Sequence, residues 1–453
     1  MSSVVIVGAG PAGIRAACTL VEHGLRPIVI DEARLAGGQG YRRPPPALSL
    51  DIKRLMGSEY GKYEALHRDF DALHDKIDYR PRTLVWAIDG NMLYLISDGR
   101  PSTQTFDKLI LATGAMDKVA PLPGATLPGV FTLGGAQIAL KDQGCLIGRH
   151  VAFVGSSPLL TLAAKQYRQM GAEIALIADT TPLKNKIREL PTLAKSPRTL
   201  MRGIAYQAQA LASGTPILSG VTSIAIEGAT RVEGVRVTTA SGRERTIACD
   251  AVALGYGLKP ETQLADLAGA RFAYDALFNL WLPVTDADGR AADNLYLAGD
   301  GAAIGGADAA EASGALAACA VLTDLQIAVP ISTMQGLRRT VSRLRAFQRG
   351  LAGAFAWPRH MIRQLPDDLT LCRCEDVSVG DVRTAMRREF APVEINRVKA
   401  ITRCGMGRCQ GRVCGPALQE IVAEAAHCSG TAAGRLRGQA PIKPIALAAG
   451  SEP

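Results

Sequence analysis

The sequence predicts an α/β chain in which two Rossmann-like dinucleotide-binding units precede a small, cysteine-bearing helical segment at the C-terminal end. Three observations carry that prediction. A strand, a glycine turn, a helix and a second strand open the chain. The same pattern recurs from Val151, and five of the ten cysteines fall between Cys372 and Cys414.

The opening pattern is "VVIVGAGPAGIRAACTLVEHGLRPIVIDEA". Val4 to Val7 reads as a buried parallel strand. Gly8, Gly10 and Gly13 follow as G-x-G-x-x-G, and Ile14, Ala17, Leu20 and Val21 share one helical face, with Gly24 as the stop. A second strand ends in Asp31 and Glu32. Each part has a physical job. Gly8 permits the tight turn, Gly10 lets backbone approach a pyrophosphate, and Gly13 lets helix pack on strand. The helix N-terminus offers N–H groups and partial positive charge to phosphate. The acid after the second strand accepts from a ribose. Spacing prefers Asp31, with Glu32 next.

Three further stretches bear on which dinucleotide is bound. They are "GGQGYRR" (37–43), "DKLILATGA" (107–115) and "NLYLAGDG" followed by a long small-residue helix (294–320). With the opening motif, this layout resembles the glutathione-reductase-like flavoproteins. The resemblance implies FAD in the first unit. It places Ala112, Thr113 and Gly114 near the flavin and Gly299 and Asp300 at its ribityl and phosphate region. It also adds Gly38 and Gln39 to the cofactor-binding set and puts Val85 at the adenine.

In the second copy, "VAFVGSSPLLTLAAKQYRQMGAEIALIAD", the fingerprint positions read Gly155, Ser157 and Leu160. Ser157 brings a side chain to the pyrophosphate position, and Leu160 replaces the helix-contact glycine. The expectation is a degenerate NAD(P)-binding-like domain. Disulfide-reductase chemistry is disfavoured because Cys18, Cys145, Cys249 and Cys319 are isolated, with no C-x-x-C pair; they read as small core residues.

Near the C-terminal end, "CRC" (372–374) precedes "RCGMGRCQGRVC" (403–414). Four thiolates suit a [2Fe–2S] cluster, whereas zinc ribbons favour C-x2-C knuckles. Five cysteines compete for four places. The segment resembles bacterioferritin-associated-ferredoxin-like domains, and that resemblance implies the ligands Cys372, Cys374, Cys409 and Cys414, leaving Cys404 as a spare buried residue. Nearby basic residues, among them Arg373, Arg383, Lys399, Arg403 and Arg412, would offset the charge of a thiolate-bound cluster. The local glycines would let N–H groups turn toward sulfur.

The expected division is residues 1–115 with 250–330 as a discontinuous FAD-binding domain and 116–249 as the degenerate NAD(P)-binding-like domain. A helix and linker (331–364), the [2Fe–2S] domain (365–430) and an extended tail (431–453) follow. Residues 47–80 read as helical. Leu337, Val341, Leu344, Phe347 and Leu351 form a helical stripe that we read as packing on the flavin domain.

Composition excludes some functions. The net charge of +9 is spread over 453 residues without a basic-aromatic stripe, so nucleic acid is not an expected partner. The stretch 302–329 is broken by Asp308, Glu311 and Asp324, so no membrane span is expected. With no leader pattern at the start and grouped cysteines, a reducing, cytoplasmic setting is expected, with attachment to the inner-membrane surface left open.

Over its whole length the chain resembles the α or A subunits of opine oxidases, hydrogen cyanide synthase and D-hydroxyproline dehydrogenase. The motifs "GAGPAG", "GGQGYRR", "LATGAMDK", "PLPG", "GSSPLL", "YLAGDG" and "CRCE…CGMGRCQGRVC" carry the resemblance. It implies an electron-transferring subunit beside a D-amino-acid-oxidase-like subunit that oxidises the C–N bond of an amine or imino acid. An interface FMN, a respiratory acceptor and a small iron–sulfur subunit complete the implied assembly. No catalytic residue is assigned to this chain, since none of its six histidines falls in a motif. The alternative reading is a self-sufficient NAD(P)H-dependent flavoprotein reductase with the cluster as its outlet.

Overall fold

The structure is a computed structural model that describes residues 2–388 and 392–446. Val4–Val7 is buried at every position because it lies inside a six-stranded sheet. The strand order is Arg290–Ala292, Leu295–Leu297, Lys108–Leu111, Val4–Val7, Ile28–Ile30, Asp78–Arg80. All neighbours are parallel except the Arg290–Ala292 edge. Helices Pro11–Glu22 and Ala307–Asp324 cover one face. They approach backbone to backbone: a Cβ on Gly314 would overlap the Ala12 carbonyl. The small residues of the second helix serve this close crossing. An antiparallel sheet of Thr83–Asp89, Met92–Ser97 and Arg100–Thr105 packs its Val85, Leu93 and Leu95 against Val5 and Val7 on the other face.

The second sheet is wholly parallel, in the order Ile217–Ser219, Glu173–Asp179, His150–Gly155, Ala251–Gly255, Val130–Thr132. The long helix Ile331–Ala354 packs through Met334 and Val341 onto Ala312, Leu316 and Cys319 of Ala307–Asp324.

The cysteine-bearing segment is built from a two-stranded ribbon (Thr370–Cys372, Val377–Ser378) and helices Val379–Met386, Ile395–Thr402 and Gly415–Ala425. A reciprocal capping box between Ser378 and Asp381 starts the first helix. Its apolar core is continuous with that of the second unit, from Val398, Leu418 and Ile421 to Val252 and Tyr256. Buried Lys118 reinforces the junction: its Nζ donates to the Phe278 carbonyl at 2.8 Å and lies 4.1 Å from the Trp357 ring centre.

Two sequence expectations need correction. Residues 47–80 are not helical throughout; helices Ile52–Met56 and Tyr60–Asp71 give way to the strand Asp78–Arg80, which finds a partner edge in Ile28–Ile30. Cys18, Cys249 and Cys319 are buried, but Cys145 is exposed in the loop after Leu133–Asp142. Of the expected extended tail (431–453), residues 447–453 lie outside the described residues. Residues 431–446 run without helix or strand across the first unit. Trp281 donates to the Gly434 carbonyl at 3.0 Å, Ile442 is buried in the core beside Val85, and Lys443 pairs with Glu32.

Candidate functional site

The first cradle is shaped by backbone. Gly8 has φ +108°, and a Cβ there would overlap the Ala112 carbonyl oxygen. A Cβ on Gly13 would overlap the Gly8 carbonyl, so helix and turn touch directly. Gly10 differs: its Cβ would meet only the Gly38 Cα, at 3.5 Å. Gly10 and Gly38 therefore face each other as two bare backbones beside the start of helix Pro11–Glu22, whose first residue, Pro11, lacks an N–H to satisfy. A cleft free of side chains at a helix N-terminus fits a pyrophosphate.

His67 packs behind the Gly37–Gly38 turn. Its Nε2 lies 2.8 Å from the Tyr41 carbonyl, and its ring fills the space beside Gly37. Burial lowers its pKa, keeping it neutral. Gln39 is exposed and accepts from Arg42 at 2.9 Å, outside the cleft.

Asp31 and Glu32 divide their roles. The Asp31 carboxylate accepts from the Ala9 N–H and, at 2.6 Å, from the Ala33 N–H. Burial raises its pKa, and these two backbone donors oppose that rise. Asp31 thus locks the glycine turn to the second strand. Glu32 is exposed and partnered by Lys443 of the tail, so Asp31 is committed to the turn while Glu32 stands at the surface.

Ala112, Thr113, Gly114, Gly299 and Asp300 meet at the C-terminal ends of the parallel strands. A Cβ on Gly301 would press on Thr113 Oγ1, and one on Gly299 on Ala12. Asp300 is half-buried, and one of its oxygens accepts from the Gly305 and Gly306 N–H groups at 2.7 and 3.0 Å. Burial raises its pKa despite these donors. Thr113 Oγ1 donates to the Glu261 carbonyl at 2.6 Å, and the Glu261 N–H donates to the Gly114 carbonyl at 2.9 Å.

The second cradle carries side chains where the first has glycine. A Cβ on Gly155 would overlap the Gly255 carbonyl. Ser157 is buried and its Oγ accepts the Leu159 N–H at 3.2 Å, while Leu160 packs on Gly255. Asp179 is taken by Lys186 at 2.6 Å and the Thr181 N–H at 2.8 Å.

The sulfur site gathers the five cysteines between Cys372 and Cys414. The sulfurs of Cys372, Cys404 and Cys414 lie within 4.8 Å of one another and are buried. Cys374 and Cys409 form an adjacent, half-buried, hydrogen-bonded pair. Hydrogen bonds from Cys404 and Cys414, with the Gly405 and Glu375 N–H groups, pull the Cys372 thiol down to about 2. Bonding to Cys372 pushes Cys404 and Cys414 upward. A donor set of apposed, buried sulfurs fits a thiolate-bound cluster. Cys404, read from the motif as a spare, stands inside the tightest group. Left-handed backbone at Arg403 (φ +64°) and Gly405 (φ +90°) turns it inward.

Cations surround the sulfurs. Lys399 donates to the Arg437 carbonyl at 2.8 Å and is close enough to Cys414 to interact with its charge. Lys259, from outside the cysteine segment, interacts with Cys414 and Cys409; burial lowers its pKa. Arg412 binds Glu261 at 2.6 Å. Sequence reading missed Lys259 and Glu261 because no spacing within the cysteine motif points to them.

Comparison with known proteins agrees with this layout. Residues 2–317 match the pyridine nucleotide-disulphide oxidoreductase family, and 370–424 match the BFD-like [2Fe-2S] binding domain. The chain is 37% identical to the A subunit of opine oxidase from Rhizobium meliloti, over 98% of this chain and 86% of that protein. It is 31% identical to the HcnB subunit of hydrogen cyanide synthase from Pseudomonas aeruginosa, over 98% and 97%. The L-proline dehydrogenase structure from P. horikoshii superposes with a TM-score of 0.71 at 20% identity, covering 100% of this chain and 79% of that one. Thioredoxin reductase from T. acidophilum gives 0.54 at 19% identity, covering 72% and 99%. The chain therefore belongs to the family of the opine oxidase A subunits and HcnB: a glutathione-reductase-like flavin-binding fold that ends in a BFD-like [2Fe-2S] domain.

Proposed function

We propose that this chain is the electron-carrying subunit of a heteromeric dehydrogenase acting on the C–N bond of a secondary amine or imino acid. A D-amino-acid-oxidase-like partner subunit would oxidise the substrate. Electrons would pass through FAD and a [2Fe–2S] cluster here to a respiratory acceptor. FMN at the interface between subunits is a further expected member, and so is a small iron–sulfur subunit. The observation that carries the reading is the short bonded path from the Thr113–Gly114 turn through Glu261 to Arg412, beside the five-cysteine site.

The flavin would supply two-electron exchange with an organic donor, and the cluster single-electron exchange. In the proposed site, Gly10 and Gly38 admit the pyrophosphate, Glu32 accepts the ribose hydroxyls, and Val85 lies in the wall on the adenine side. Ala112, Thr113, Gly114, Gly299 and Asp300 hold the flavin end. Cys372, Cys374, Cys409 and Cys414 are the motif-based ligands; the geometry supports Cys404 as a ligand alongside Cys372 and Cys414, with the fourth sulfur from the Cys374–Cys409 pair. Lys259, Lys399 and Arg412 offset the charge. Ser157 and Leu160 at the glycine positions of the second cradle, with Asp179 paired to Lys186, argue against NAD(P)H as donor.

The test is to prepare the chain anaerobically with and without its D-amino-acid-oxidase-like partner. Flavin and iron in the isolated chain, with dye-linked amine oxidation only in the complex, is the expected result. Amine oxidation by the isolated chain, or flavin bleaching by NADH, overturns the proposal.

A further inference from the structure

Helices Leu183–Leu193 and Pro197–Ala212 leave apolar side chains in solvent in an ordered way. Leu183, Ile187 and Leu190 are 61%, 57% and 44% exposed, and their spacing puts them on one helical stripe. Met201, Ile204 and Leu211, at 61%, 47% and 60%, form the matching stripe on the second helix. Scattered exposed hydrophobes need no explanation, but ordered stripes on two successive helices do.

Both helices are anchored through other faces. Lys186 reaches in to Asp179, and Arg202 to Glu59. Leu193 is buried against Phe347 and Ala354. Two cations therefore point into the protein while the apolar stripes point out, the reverse of an ordinary surface helix.

The charge around the stripes has one sign. Lys184, Lys195 and Arg198 are exposed and make no ion pair among the described residues. Glu189 is the one acid between Leu183 and Ala212, and Arg188 lies 3.2 Å from it. The adjoining helix Ile331–Ala354 carries no acid, and of its five arginines Arg338 and Arg349 are paired with Asp288 and Asp275. Protein interfaces are depleted in lysine at their cores. Exposed apolar stripes flanked by unpaired cations are the pattern of helices that lie in a lipid headgroup layer.

We propose that the Leu183–Ala212 helical pair is a docking face for an anionic phospholipid surface. The apolar stripes enter the boundary between headgroups and acyl chains while Lys184, Lys195 and Arg198 engage lipid phosphates. Nothing in the proposal depends on the electron path assigned above. Among the described residues no helix is long and apolar enough to cross a membrane, so attachment is from one side.

The test uses the full, flavin-loaded chain with sedimented vesicles. Binding to phosphatidylcholine vesicles containing phosphatidylglycerol, with little binding to phosphatidylcholine alone, is expected. Ile187→Asp with Met201→Asp should weaken it by more than about tenfold while flavin content stays unchanged. Lys184→Gln with Arg198→Gln should weaken it about fivefold for each cation removed, and rising salt should do the same. Absence of binding to either vesicle, or binding that survives both variants, overturns the proposal. Loss of a copurifying protein partner in the aspartate variant, with vesicle binding unchanged, assigns the face to protein and overturns it equally.

Discussion

Glu261 and Arg412 join the flavin-side turn to the cysteine loop: Arg412 Nε meets Glu261 Oε2 at 2.6 Å, and the two side chains are only 10% and 15% exposed. The Glu261 backbone meanwhile bonds Thr113 and Gly114, and the Arg412 N–H donates to the Cys409 carbonyl at 3.0 Å. Two parts of the chain 151 residues apart are thereby fixed against each other.

Breaking this pair leaves a buried charge without its partner. Glu261→Gln should cost about 3 kcal/mol of stability, read by denaturant unfolding. Burial alone would raise the Glu261 pKa, but Arg412 and Lys259 outweigh it and hold the pKa below the ordinary 4.5. A depressed native pKa means that the contribution is complete above that ordinary value and is lost as pH falls through the native one. Wild type should therefore lose stability more steeply than Glu261→Gln below about pH 4.5.

The same pair should tune the cluster. Glu261→Gln leaves Arg412 unneutralised near the sulfurs and should raise the cluster's reduction potential. Arg412→Gln leaves the carboxylate and should lower it. The double variant should return toward wild type, as measured by a redox titration followed by electron paramagnetic resonance. Shifts of the same sign in both single variants would show loosened structure instead.

Gly10 and Gly13 should respond differently to alanine. Gly13→Ala forces the helix off the turn and should lower folding stability along with flavin content. Gly10→Ala has room within the protein, its Cβ meeting only the Gly38 Cα at 3.5 Å. It should keep the thermal stability of the flavin-free protein while weakening flavin binding by more than about tenfold, since it takes space a pyrophosphate would fill.

The first cradle was legible in sequence because its logic is local: strand, Gly8, Gly10, Gly13 and helix follow one another within one supersecondary unit. The division of work between Asp31 and Glu32 was not, because it depends on Ala9, Ala33 and Lys443, the last of them more than 400 residues away. The cysteine motif located the sulfur site but could not rank Cys404, whose placement follows from positive φ at Arg403 and Gly405. Lys259 and Glu261 reach the site from a strand of another unit, so no periodicity in the cysteine segment could announce them. Nothing in the sequence of Leu183–Ala212 marks its stripes as exposed; only burial shows which face is turned out.

The cysteines separate by iron content. Cys372→Ser and Cys414→Ser should each abolish the cluster. Cys404→Ser should do so as well, since its sulfur lies in the buried trio. Iron and sulfide retained in full in Cys404→Ser would restore the motif-based set of Cys372, Cys374, Cys409 and Cys414.

The role as an electron carrier between cofactors is tested most directly by mixing the chain, together with its amine-oxidising partner, with substrate under anaerobic conditions and following flavin absorbance and the cluster's paramagnetic signal. Iron and acid-labile sulfide in equal amounts, with both signals changing only when partner and substrate are present together, is the predicted result. Zinc in place of iron, or a cluster that stays oxidised while the partner turns over, would contradict it.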